Sequence, residues 1–255
     1  MVDITLEQAQ PSVSSTAIVH VSPRNVFIVL VTLSILLILI SFVGVVILAP
    51  YSGSPYTGDP SLATPTSLAK IILRFDVVTE GNIPSWFSGT LLFISAALAG
   101  IIAADARRRG DRYRWHWLAL AVLFVLFSLD EVAYLHEGVS NFMGRNSIGF
   151  MEIGWIIPGA IFVLIAGLAF APFILNLPSR TRLLFIIAGA LFLTGALGLE
   201  VVESLLLGDW DFQATPVLIS NHLQELFELL GVSVFIYALL SHIKAHMSPV
   251  RLMVD

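Results

Sequence analysis

Acidic residues and histidines interrupt three long apolar stretches of this chain. An ionisable side chain costs roughly 3 kcal/mol or more near the centre of a bilayer, so such residues are seldom placed there without a use. Their convergence from three helices predicts a polar site inside a membrane protein. The interrupting residues are Asp130, Glu131, His136 and Glu137 in the first stretch, Glu200 and Glu203 in the second, and His222, Glu225 and Glu228 in the third.

The spacing of these residues suits the binding of metal ions. Residues three apart share a helix face, as Glu200 and Glu203 do, and His222 with Glu225 forms a His-x-x-Glu pair. Helical bundles hold two iron or manganese ions with pairs of this kind and carboxylates from facing helices. The chain has no Cys, so the donors are oxygen and imidazole, which favour Fe, Mn or Zn. We predict one or two such ions, bound by these residues: Asp130, Glu131, Glu200, Glu203, His222, Glu225 and Glu228.

Four more residues are secondary candidates for the same site. At about 100° per residue, the side chains at positions 130, 134 and 137 fall within about 60° of one another, whereas position 136 points away. Bundles that hold two ions use two such His pairs, and His136, the other candidate for a pair, is at a poor angle. A second His pair is therefore missing, and a site with one ion is as consistent with the pattern as a site with two. The secondary candidates are Tyr134, His136, Glu137 and Glu152.

Two functions of different classes fit this pattern. The leading hypothesis is a membrane-embedded metalloenzyme that acts on a lipid or quinone-like substrate, although the pattern names no reaction. The alternative is a proton- or cation-coupled transporter, channel or small subunit of a membrane complex, in which neighbouring carboxylates share protons and act as a relay. A purely structural role is also open, in which the acids pair with Arg145 or line a wet vestibule.

Six apolar segments are long enough to position these residues in a bilayer. Of all residues, 57% are hydrophobic and only 12% are charged, whereas a soluble domain carries about 25% charged residues. A transmembrane helix needs about 20 apolar residues. We predict an all-α, polytopic membrane protein, a bundle of six transmembrane helices over residues 26–243. The predicted spans are 26–49, 84–105, 115–137, 152–175, 183–207 and 217–243.

The basic residues orient the predicted bundle. The segment 105–114 is rich in arginine, and the positive-inside rule places it in the cytoplasm. All Lys and Arg residues then lie inside except Lys70, Arg74 and Arg145, and both termini are cytoplasmic. The acids lie mostly outside, which favours cations and disfavours nucleic acid as a partner. We expect the plasma (inner) membrane, with the lipid bilayer as the surrounding partner.

Three segments lie outside the predicted spans. Residues 1–25 form a polar cytoplasmic arm and residues 244–255 a cytoplasmic tail. The outer loop, 50–83, has apolar residues at helical spacing, which predicts a short amphipathic helix from about Ser67 to Val78 on the outer surface. An ordered loop that caps the bundle is the other interpretation. The apolar residues are Leu68, Ile71, Ile72 and Phe75.

Small residues on the second and fourth predicted spans indicate close helix packing. Glycine and alanine let two helix backbones approach each other. We therefore expect neighbouring helices to pack at these positions: Gly89, Ala96, Ala97 and Gly100 on the second span, and Gly159, Ala160 and Gly167 on the fourth.

Overall fold

The computed structural model describes residues 21–48, 67–79, 81–133, 156–207 and 214–247. Over these ranges the chain is all-α, as predicted, with one short helix and six long ones. Two of the long helices contain a π-helical segment. The helices are α1 (Pro23–Phe42, continuing as the π segment Val43–Leu48), α2 (Ser67–Phe75), α3 (Ile83–Arg108), α4 (Arg114–Ala133), α5 (Ile156–Asn176), α6 (Ser179–Leu193, the π segment Thr194–Leu199, then Glu200–Leu207) and α7 (Thr215–His246).

The six long helices confirm the predicted transmembrane bundle. Each is long and apolar enough to cross a membrane. The predicted outer ends of the third and fourth spans, 134–137 and 152–155, lie outside the described residues. Half of the most apolar window of α7 is buried (50%), compared with 6% of that of α5. Helix α7 is therefore central to the bundle, where it contacts α1, α3 and α6, and α5 is peripheral.

Local sequence signals fix where two of the long helices begin. Ser22 caps α1 by accepting a hydrogen bond from the backbone N–H of Asn25, and Asn82 caps α3 by accepting one from the N–H of Ser85. A proline follows each cap within the first two helical positions, where its missing N–H has no helical partner in any case. Helix α7 also begins with a proline at this position.

Gly110 makes the turn between α3 and α4, and its φ is +66°. An L-residue with a side chain loses roughly 1–2 kcal/mol in this left-handed region. We expect Gly110→Ala to lower the free energy of unfolding by about 1 kcal/mol, measured by thermal unfolding of the purified protein. Gly167→Ala is the control, because a Cβ there has open space and alanine favours a helix. An unchanged midpoint for Gly110→Ala would contradict the assignment.

The predicted amphipathic helix of the outer loop is confirmed as α2. It ends at Phe75, three residues earlier than predicted, and buries Ala69 and Ile72. Asp76 and Val77 follow in a buried turn, where the Asp76 carboxylate accepts a hydrogen bond from a backbone N–H two residues on. This turn is tied to the start of α3, because the side chain of Asn82 donates to the backbone oxygen of Asp76.

Candidate polar site between α6 and α7

Helices α6 and α7 approach each other closely at two glycines. A Cβ on Gly195 would lie 2.7 Å from both the backbone oxygen of Gln224 and the Cγ of Glu228. A Cβ on Gly231 would lie 2.7 Å from the backbone nitrogen of Phe192. Real Cβ atoms essentially never come this close, so the interface requires glycine at both positions. The pairing shows that the two helices run antiparallel.

The π segment of α6 directly precedes the two carboxylates of this helix. Thr194–Leu199 is π-helical, and Glu200 begins the next α-helical stretch. A π turn inserts one residue into the ladder of hydrogen bonds and is frequent at functional sites. Here it also contains Gly195, the residue that lets the backbone of α7 come close. The segment thus sets which face of the following turn meets α7.

Two carboxylate–amide pairs join α6 to α7 just beyond this close contact. The Gln224 Nε2 donates to Glu200 Oε2 at 3.0 Å. Asn221 takes the amide orientation that satisfies both of its polar atoms, and its nitrogen then lies 2.7 Å from Glu203 Oε2. Both carboxylates and both amides are spaced by three residues, so the pairs form an antiparallel ladder, named here the carboxylate–amide ladder.

The other predicted carboxylates lie on α4 and α7. Glu225 and Glu228 are half-buried on α7, and Glu228 packs against Gly195 of the π segment. Asp130 and Glu131 are half-buried in the last turn of α4. The Glu131 Cγ lies 3.6 Å from the Cβ position of Gly89, so its stem covers α3.

A layer of phenylalanines lies between α4, α6 and α7, on the side of the acids that is nearer to the turn at Gly110. Phe124 of α4 stacks on Phe235 of α7 with ring centroids 4.5 Å apart, and Phe127 stacks on Phe192 of α6 at 6.3 Å. Phe127 precedes Glu131 by four residues. Phe192 precedes Glu200 by eight residues. The phenylalanine layer therefore lies about one helical turn from the acids of α4 and about two turns from the carboxylate–amide ladder.

His222 lies at a different interface from the ladder. Its Nδ1 is 2.6 Å from the backbone oxygen of Leu218, and its Nε2 is 3.0 Å from the Oγ of Ser41 on α1. Since a carbonyl only accepts, Nδ1 carries the proton and the Ser41 hydroxyl donates to Nε2. The Ser41 oxygen in turn accepts from the backbone N–H of Val77 at 3.0 Å. This arrangement, named here the Ser41–His222 bridge, ties α1, α7 and the turn after α2 together.

The structure therefore assembles only part of the predicted ligand set. Glu200 and Glu203 meet in the ladder, whereas both nitrogens of His222 bond to protein groups. Among the residues that the structure describes, no three His, Asp or Glu side chains are grouped so that they could hold a metal ion. The secondary candidates Tyr134, His136, Glu137 and Glu152 lie outside the described ranges. Metal binding stays a prediction.

Three residues of these networks are not among the predicted site residues: Asn221, Gln224 and Ser41. The two amides carried a usable signal, because their spacing of three residues on α7 matches that of Glu200 and Glu203 on α6. Ser41 carried none, because a lone serine in an apolar helix usually bonds its own backbone, as Ser34 does with the oxygen of Leu30.

Six apolar helices able to cross a membrane, with carboxylates and amides paired between two of them, define a multi-pass integral membrane protein. The chain belongs to the family DUF8692, a domain of unknown function, whose model matches residues 26–243. No curated protein and no solved structure matches the chain. The family description names no activity.

Proposed function

We propose that the protein is a proton- or cation-coupled membrane protein in which Glu200 and Glu203 bind the coupling ion. The carboxylate–amide ladder is the observation that carries this proposal. Acids placed within a membrane span are rare and mark ion or proton pathways more often than not. The two acids of the ladder are held by neutral amides at a helix interface, an arrangement that orients each carboxylate without neutralising it through the amide.

An amide suits a site whose occupancy changes. It donates an N–H to an ionised carboxylate, and its oxygen accepts from a protonated carboxyl or coordinates a hard cation. The Oε1 of Gln224 is buried and has no hydrogen-bond partner among the described residues. This oxygen belongs to the same side chain that bonds Glu200. It is therefore placed to accept a hydrogen bond from a protonated carboxyl or to coordinate a cation bound at Glu200.

The position of the ladder favours entry of the ion from the outer face. The positive-inside rule puts the turn around Gly110 in the cytoplasm, so α6 runs outward and Glu200–Leu207 is its outer end. The phenylalanine layer lies on the inner side of the ladder. An ion that arrives from outside reaches Glu203 before Glu200 and meets the aromatic rings next.

A divalent metal ion is the second candidate, and the two carboxylates of the ladder, with the amide of Gln224 beside Glu200, favour it. An ion bound by Glu200, Glu203 and Gln224 would have oxygen donors only, which suits Mg²⁺, Ca²⁺ or Mn²⁺ better than Zn²⁺. A site for Fe or Zn would need a histidine ligand. Either His222 would have to leave its hydrogen bonds to Leu218 and Ser41, or His136 would have to bind the ion. Action on a lipid or quinone-like substrate stays a prediction of the sequence.

The test compares wild-type protein with the double variant Glu200→Gln, Glu203→Gln. Gln keeps the shape of Glu and removes its charge. We expect one cation among Na⁺, K⁺, Mg²⁺, Ca²⁺ and Mn²⁺, or a change of pH, to raise the unfolding temperature of the wild type but not of the variant. A cation whose free concentration is about a hundred times its dissociation constant raises the free energy of unfolding by about 2.7 kcal/mol. Elemental analysis of both purified proteins identifies any metal that is retained.

Asp111→Asn is the matched control. Asp111 lies in the turn before α4 and accepts a hydrogen bond from the N–H of Tyr113, a role that Asn can keep. The control should respond to cations as the wild type does. If no cation and no pH change affects the wild type, and proteoliposomes show no proton flux under an imposed membrane potential, the proposed function is wrong.

A further inference from the structure

An apolar groove runs between α1 and α2 on the outer half of the molecule. Its volume is about 370 Å³, which lies at the lower end of the range of about 300–1,000 Å³ for ligand sites. The Cγ2 of Ile72 lies 3.3 Å from the Cβ position of Gly44, so the two helices touch along the floor of the groove. Its lining includes Leu36, Leu39, Val43 and Gly44 of α1 and Ile71 and Ile72 of α2.

The groove faces away from the polar site. On α1, Ser34, Ile38 and Ser41 are buried against the bundle, whereas the groove residues Leu36 and Leu39 are 47% and 53% exposed. In a membrane protein this exposed side meets lipid. The groove is thus independent of the carboxylate–amide ladder.

Two positive charges lie on the exposed face of α2: Arg74 is at the edge of the groove, and Lys70 is about 40° further round the helix. Lys70 and Arg74 are exposed on α2, and at about 100° per residue Arg74 lies about 60° from the groove residue Ile71. Neither cation forms an ion pair with a described residue. Cations are disfavoured on the outer side of a multi-pass protein. Lys70 and Arg74 are two of the three Lys and Arg residues that the positive-inside rule places on that side. Their placement four residues apart on one surface helix offers a binding site to an anionic group.

We propose that the groove binds one acyl chain of an anionic phospholipid, whose headgroup phosphate pairs with Lys70 and Arg74. Apolar contact holds the chain, and charge selects the headgroup. Helix α2 lies at the level of the headgroups, as an amphipathic interfacial helix does. A basic residue at this level attracts anionic lipid with about a fivefold gain in binding per charge. The lipid would fasten α2 to α1.

The experiment measures bound lipid by native mass spectrometry of the detergent-purified protein. The probes are dioleoyl-phosphatidylglycerol and dioleoyl-phosphatidylcholine, which share acyl chains and differ in net charge. We expect one equivalent of the anionic lipid to bind more tightly than the zwitterionic one. The variant Lys70→Gln, Arg74→Gln should weaken phosphatidylglycerol binding on the order of 25-fold and remove the preference. Val43→Trp should fill the groove and weaken both lipids.

Two controls match these variants in chemistry but not in position. Arg112→Gln, Lys244→Gln removes two exposed charges on the cytoplasmic side, and Leu164→Trp enlarges an exposed side chain of α5. Both should bind lipid as the wild type does, and thermal unfolding confirms that each variant is folded. Equal binding of the two lipids by the wild type, or unchanged binding by the Lys70 and Arg74 variant, overturns the proposal. A dimer mass without bound lipid also overturns it and assigns the groove to a second copy of the chain.

Discussion

Replacing Gly231 by leucine should separate α6 from α7 and destabilise the protein by about 3 kcal/mol or more. Overpacking usually costs about 1–3 kcal/mol, because neighbours must shift. At Gly231 the first side-chain atom already meets the backbone nitrogen of Phe192 at 2.7 Å and the backbone oxygen of Ala188 at 2.9 Å. Backbone atoms cannot rotate away as a side chain does. The measurement is the unfolding midpoint of purified protein, and Gly231→Ala should already lower it.

Gly195→Ala tests the same interface nearer to the site. Its Cβ would meet the Gln224 oxygen and the Glu228 Cγ, so relief of the clash moves the turn that holds the carboxylate–amide ladder. We expect lower stability together with a weaker response to cations. The clash of Gly231→Ala is with Phe192 and Ala188, about two helical turns before Glu200. For this variant we expect a loss of stability with a smaller change in the response to cations.

The control for both glycines is Gly189→Ala on α6. A Cβ at Gly189 has nothing within 4 Å, and alanine is the better helix former by about 1 kcal/mol. This variant should be as stable as the wild type or more so. Equal stability of Gly231→Ala and Gly189→Ala would contradict the close approach of the two helices.

Much of the fold could be predicted because hydrophobic length alone defines a membrane span. Helix α2 was also predictable, since its apolar residues recur at helical spacing. The helix contacts were harder to predict. The expectation for Gly89 is confirmed by its packing on Val132, whereas that for Gly167 is wrong, because a Cβ there has open space. The closest contacts use Gly195 and Gly231 instead. Which small residues meet depends on the rotation and order of the helices, which composition does not encode.

The candidate site was predictable only in part, for a related reason. An acid in a span is conspicuous because it is costly, so Glu200 and Glu203 could be picked from the sequence. Neutral amides and hydroxyls are common in membrane helices, so Gln224 and Ser41 were not conspicuous. The spacing of His222 and Glu225 indicated a shared face, yet His222 turns toward α1 and bonds Ser41. Helical spacing gives the angle between two residues but not the neighbouring helix that each one meets.

Ser41→Ala should destabilise the protein by several kcal/mol, because it removes the centre of the Ser41–His222 bridge. Ser41 is 1% exposed and His222 is 3% exposed, so water cannot replace the lost hydroxyl. The substitution leaves the Nε2 of His222 and the N–H of Val77 without partners, and each buried orphan group costs about 1–3 kcal/mol. Thermal unfolding measures the loss, and protease sensitivity between α2 and α3 should rise.

Ser34→Ala is the matched control, since Ser34 is also fully buried on α1 but bonds only the oxygen of Leu30 in its own helix. Its loss leaves a carbonyl that still accepts the helical hydrogen bond, so the destabilisation should be below about 1 kcal/mol. A double-mutant cycle with His222→Ala separates the bridge from a metal-ligand role. A bridge predicts that the two single variants share a coupling free energy of about 0.5–3 kcal/mol and retain the wild-type metal content and cation response. If His222→Ala removes a bound metal that Ser41→Ala keeps, His222 is a ligand and the structural assignment of the bridge fails.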